Sequence, residues 1–87
     1  MANAVLKKKV RKVLQNGYFK DPDDHIVISD GPEDSIHVVV ISDKLHGRRM
    51  KEKNDLILSD LISNLRKEEW SKITLSLGQT HEELKAN

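Results

Sequence analysis

Apolar residues fall along this chain in two alternating rhythms. Leu6, Val10, Val13 and Leu14 stand at i, i+4, i+7 and i+8, one face of an amphipathic helix. Asn16-Gly17 follows, and the glycine is expected to supply the left-handed residue that ends the helix. Residues 24–29, DHIVIS, read as a first strand, and 30–34, DGPED, as a turn. The run IHVVVI at 36–41 is the most β-branched stretch, which predicts a strand buried on much of both faces, at the centre of a sheet. A longer helical pattern follows, carried by Ile57, Leu58, Leu61, Ile62 and Leu65, with Asp55, Ser59, Asp60, Ser63 and Asn64 turned away. Residues 73–77, ITLSL, alternate as a third strand with Thr74 and Ser76 on the wetter face. Thr80 and Glu83 are spaced as a capping box, so a terminal helix is expected from His81. Trp70, just before the third strand, is expected to be buried as its anchor.

Counting a one-turn helix at 44–46, the order is α-β-β-α-α-β. A hairpin followed by a helical crossover gives a three-stranded mixed sheet with helices packed on one face, since such crossovers are right-handed. The expected fold is therefore α+β, with residues 1–87 forming one small domain.

Composition narrows the chemistry. A chain of 87 residues buries only roughly 60% of the surface its unfolded form exposes. Tyr18, Phe19 and Trp70 are the only aromatics, so Val, Ile and Leu must fill the core. There is no cysteine, which removes disulfides, thiolate metal sites and cysteine nucleophiles together. The start, MANAVLKKK, has no apolar leader core, and no run approaches the ~18 apolar residues of a membrane span. A cytoplasmic protein is expected.

The formal net charge is +1, and this balance hides a segregation. Residues 1–20 carry Lys7, Lys8, Lys9, Arg11, Lys12 and Lys20 without an acid, whereas 21–35 carry six acids without Lys or Arg. A second basic stretch, Lys44, Arg48, Arg49, Lys51 and Lys53, is broken only by Asp43 and Glu52. Brought together, the two basic segments would make one positive face suited to nucleic acid. The alternative is that these charges solvate helix surfaces.

From Ile36 onward the chain resembles the BolA-like proteins, a family with a type II KH-like fold. The resemblance lies in the apolar strand ending in Ser42-Asp43, in Leu45 and Gly47 opening the next loop, in the basic run into the long helix, and in Thr80-x-Glu82-Glu83 after the last strand. It covers about two thirds of the chain firmly. It implies a regulatory role in transcription or stress response, with nucleic acid or a monothiol glutaredoxin as partner. Family members share a [2Fe-2S] cluster with the glutaredoxin through a histidine at the start of the long helix and a His or Cys in the hairpin loop. Here those places hold Asn54 and GPEDS at 31–35, poor donors to iron–sulfur clusters, so no cofactor is expected.

Four histidines remain. His37 lies within the central strand, and His25, at the mouth of the first strand, should be far from it. His81 belongs to the terminal helix start, and His46, beside Gly47, is the one weak candidate for a metal or phosphate contact. Their spacing does not match a zinc site, and no nucleophile–base arrangement argues for an enzyme.

The stretch LHGRRM at 45–50 carries the functional expectation. KH domains grip phosphate with a G-x-x-G loop between two helices. Gly47-Arg48-Arg49-Met50 supplies the first glycine and two arginines but not the second glycine. What remains is a helix start with guanidinium groups, an anion-attracting arrangement. The expected nucleic-acid contacts are Gly47, Arg48, Arg49, Lys51 and Lys53, extended by Lys8, Arg11 and Lys12. Pairing of the arginines with Asp43 or Glu52 is the alternative. A protein-interaction module that docks a glutaredoxin or another iron–sulfur assembly partner without the usual ligands is the second functional expectation.

Overall fold

The structure, a computed structural model, describes residues 4–86, so the reading of the first three residues lies outside it. Helix α1 (Ala4–Asn16) is followed by strands β1 (His25–Asp30) and β2 (Ile36–Ile41), a 3-10 turn at Asp43–Leu45, helices α2 (Met50–Asn64) and α3 (Lys67–Trp70), strand β3 (Ile73–Gln79) and helix α4 (His81–Ala86). The sheet order is β1-β2-β3, with β1 antiparallel and β3 parallel to the central β2. The α+β class, the mixed sheet and the order α-β-β-α-α-β are as the patterning predicts; the short α3 is an addition. No helix among the described residues is long and apolar enough to cross a membrane.

One core holds the two layers together. Leu6, Val10 and Leu14 of α1 and Ile57 and Leu61 of α2 pack with Ile26, Ile36, Val38 and Val40 of the sheet, and Phe19, Leu45 and Leu65 close the margins. Both long helices thus lie on the same face. The opposite face carries Val27, exposed at 48%, in register with Val39, and beside it Leu77.

Two local expectations are corrected. Ser76 does not lie on the wetter face. A register shift between Ile36 and His37 leaves Thr74 as an extra residue: Ile36 pairs with Ile73, but His37 pairs with Leu75. The bulge inverts the alternation, so Ile73 packs on the core while Ser76 and Gly78 share the helix-covered face with Val38 and Val40, and Leu75 is 43% exposed. Nor does Gly17 end α1 by a left-handed turn, for Gly47 is the glycine with positive φ. Gly17 supplies room instead: a Cβ there would stand 2.6 Å from an oxygen of Asp60, whose carboxylate accepts from Tyr18 N at 2.9 Å.

Helix α3 is built by local capping that tertiary contact reinforces. Glu69 accepts from Arg66 N at 2.9 Å and pairs with Lys9 of α1 at 2.8 Å. The Lys9 ammonium and the Arg66 amide together hold the Glu69 carboxyl well below the usual range, at about 2. Trp70 is half-buried against the core.

Gly78 marks the closest approach of the layers. A Cβ there would meet Leu45 Cδ1 at 2.8 Å, Lys53 Cβ at 3.1 Å and Ile57 Cδ1 at 3.4 Å. Replacing Gly by Ala in a strand restricts the unfolded chain and gains about 0.4–1 kcal/mol, but overpacking costs roughly 1–3 kcal/mol. Gly78→Ala is therefore expected to lower unfolding free energy in urea titration by about 1–2 kcal/mol net; an unchanged midpoint would mean that α2 is not held this close.

Candidate nucleic-acid interface

The loop at 42–49 hangs from a buried polar knot at the end of β2. Ser42, fully buried, donates to Asp24 at 2.5 Å and accepts from Lys44 N at 3.2 Å. Lys44 reaches Asp24 at 3.0 Å and Asp21 at 3.2 Å, and also donates to the Tyr18 carbonyl. Burial pushes the Asp24 carboxyl up, but the bonds from Ser42 and Lys44 outweigh it and hold it below its ordinary value. For Lys44 the burial cost is likewise outweighed by Asp24 and Asp21, which raise its pKa. This lysine of the basic stretch is engaged inside the molecule.

Beyond the knot, Leu45 plugs the core and the chain turns out through His46 and Gly47. Gly47 has φ +76°, and nothing lies within 4 Å of where its Cβ would be. A side chain would be opposed by the backbone alone. Arg48 returns to the 3-10 turn, its backbone N donating to Leu45 O at 3.2 Å and its Nε reaching Lys44 O at 3.4 Å. Arg49 is the N-cap of α2 and donates its backbone N–H to Glu52 at 3.2 Å. Arg48, Arg49, Met50 and Lys51 are exposed, and none of the three cations has an ion-pair partner among the described residues.

Three expected contacts are placed elsewhere. Lys53 points inward: its side chain is 7% exposed and its Nζ lies 2.7 Å from both carboxylate oxygens of Glu83. Glu83 also accepts from Thr80 N, and its own backbone N–H donates back to Thr80 Oγ1, so one carboxylate caps α4 and ties it to α2. The Lys53 ammonium, then the Thr80 amide, hold its carboxyl below the ordinary range. Arg11 donates to the Ile26 carbonyl of β1 at 2.8 Å. Asp43, suggested as an arginine partner, instead meets His81.

The two basic segments do not merge into one patch. Gly17, after α1, adjoins Asp60 of α2, and Lys9 pairs with Glu69 beyond the end of α2, so the helices run antiparallel. Lys12 lines a groove of about 310 Å³ with Lys9 and Asn64. A helix rises 1.5 Å per residue, which sets this region roughly 20 Å from the Gly47 loop along α2. Lys8 and Lys12 are exposed there.

A second groove, about 350 Å³, joins the loop to α4, lined by Leu45, His46, Arg48, Lys53, Glu82 and Glu83 among others. Its charges are mixed, and it is no simple anion pocket. Asn54, one residue on, buries an amide oxygen that has no hydrogen-bond partner among the described residues. His37 lies on the open sheet face near the β1–β2 turn, His46 is exposed, and no group of three or more His, Asp or Glu among the described residues is arranged to hold a metal ion.

The Lys53–Glu83 tie was not legible in the sequence, although the Thr80–Glu83 capping box was; nothing local shows that the capping carboxylate also faces a lysine thirty residues earlier. Comparisons with family models, curated proteins and solved structures find no match for this chain.

Glu83 contributes stability only while ionised. Because its folded pKa is lowered, that contribution is present above the ordinary carboxylate value of 4.5 and is lost as pH falls through the folded value. Glu83→Gln is expected to speed amide hydrogen exchange in α4 at neutral pH and to remove the acid-induced loosening expected in the parent. Equal exchange in both proteins would contradict the tie.

Proposed function

We propose that the chain is a cytoplasmic BolA-like regulatory protein, without catalytic activity or a cluster of its own, that binds nucleic acid through the Gly47 loop and the start of α2. The observation that carries the reading is the contrast in how its cations are used. Lys44, Lys53 and Arg11 are consumed by internal contacts, whereas Arg48, Arg49 and Lys51 are exposed and have no ion-pair partner among the described residues, close in sequence to a glycine whose surroundings are open. The first amides of a fifteen-residue helix lie beside them and favour phosphate oxygens.

Met50 stands where a KH clamp has its second glycine and is 61% exposed. Backbone amides then cannot close on the phosphates from both ends of the loop, so side chains add to the amides at the start of α2, with weak sequence preference. The role in transcription or stress regulation rests on the family resemblance alone.

Protein docking is the second reading, with a monothiol glutaredoxin or an iron–sulfur assembly component as the partner. It is favoured by the apolar stripe of Val27, Val39, Leu75 and Leu77 on the sheet face that no helix covers.

Three phosphate-contacting cations predict a salt slope of about −2 for single strands, so affinity should fall roughly 20-fold between 50 and 200 mM salt. Fluorescence anisotropy of labelled DNA and RNA, single- and double-stranded, is expected to show this dependence in the parent and a shallower single-strand slope of about −0.7 in Arg48→Ala/Arg49→Ala, where one cation remains. No binding to any of them at low salt would overturn the reading.

A further inference from the structure

The fold brings together two histidines that the sequence keeps far apart. His25 opens β1 and pairs in register with Ile41, which pairs in turn with Gln79 of β3. The chain then enters α4, and its first residue, His81, turns back so that its ring centre lies 5.6 Å from that of His25, nearly perpendicular to it. His81 Nδ1 lies 3.0 Å from Asp43 Oδ1. A carboxylate can only accept this bond, so in the neutral imidazole Nδ1 carries the proton and the lone pair stands on Nε2. A carboxylate that fixes the tautomer and raises the basicity of an imidazole in this way is the usual outer partner of a metal-bound histidine.

We propose that His25 and His81 form a two-imidazole site for a divalent transition-metal ion such as Zn²⁺, Ni²⁺ or Cu²⁺, with Asp43 as its positioning residue. The geometry fits. An ion 2.0–2.1 Å from each donor nitrogen stands roughly 3.2 Å from each ring centre, so two imidazoles sharing it have centres about 5–6 Å apart. His25 is exposed and its ring makes no hydrogen bond among the described residues, so it can turn a nitrogen toward the ion. The nearby charges also suit a cation. Asp43 is 74% exposed in its side chain and anionic, and Lys44, the closest competing cation in sequence, is drawn off by Asp24 and Asp21. With two protein ligands the site is open, and water or a donor from a bound partner completes the coordination. Bound metal would bridge the start of β1 to the start of α4, adding a second tie to that of Lys53 and Glu83.

Isothermal titration calorimetry with zinc chloride on the full chain tests this, beside Ni²⁺-induced broadening of the imidazole NMR signals. One saturable equivalent is expected in the parent and in His37→Ala and His46→Ala, with broadening centred on His25 and His81. His25→Ala, which leaves α4 intact, should abolish saturable binding, and Asp43→Asn should weaken it about tenfold or more. Absence of saturable binding in the parent, unchanged binding in His25→Ala, or broadening centred on His37 or His46 would overturn the proposal.

Discussion

The missing side chain at Gly78 lets α2 and the 3-10 turn before it lie against β3 at a distance no other residue permits, with Leu45, Lys53 and Ile57 all within 3.4 Å of where a Cβ would be. The bulge at Thr74 is what turns Gly78 toward the helices. Without it, the alternation of ITLSL would place Leu75 and Leu77 under α2 and Gly78 on the open face. Once α2 is seated this way, its first turn lies over the end of the sheet. The loop before it is left with nowhere to go but outward, and Lys53 is brought within reach of α4.

Charge follows from that placement. A buried ammonium is costly unless paired, and Lys53 has Glu83 at 2.7 Å on both oxygens. Lys44 has Asp24 and Asp21, and Lys9 has Glu69. Half of the chain's acidic segment is thus an internal counterweight: Asp21 and Asp24 neutralise the base of the loop, and Asp30 pairs with Lys7 on α1. Among the described residues, Arg48, Arg49 and Lys51 form one group of exposed cations without an ion-pair partner and Lys8 and Lys12 another, with Lys20, Lys67, Lys72 and Lys85 as further such cations. A long polyanion could follow the helical layer between the two groups, but no compact anion could touch both.

Periodicity made much of this fold legible, because burial imposes it directly: the two long helices, the three strands and the central place of IHVVVI all follow from which positions must leave water. The bulge was hidden because an alternating pattern does not say which residue will be skipped. Gly17 was misread for a related reason. Glycine after a helix serves either a left-handed turn or a close approach, and the approach of Asp60 is a tertiary fact. At the site, the exposed loop was visible in composition and turn chemistry. The inward turn of Lys53, the Arg11 bond to Ile26 and the meeting of His25 with His81 depend on strand register and helix placement, which no local stretch encodes.

Residue-resolved NMR of the labelled protein during titration with a single-stranded oligonucleotide tests most directly whether the unpaired cations define the working surface. Shifts concentrated at 46–51, with smaller ones at Lys8 and Lys12 and none at Val27, Val39 or Leu77, are the predicted result. Shifts along the open sheet face, or none anywhere, would contradict it and leave Arg48 and Arg49 as solvated residues at a helix start.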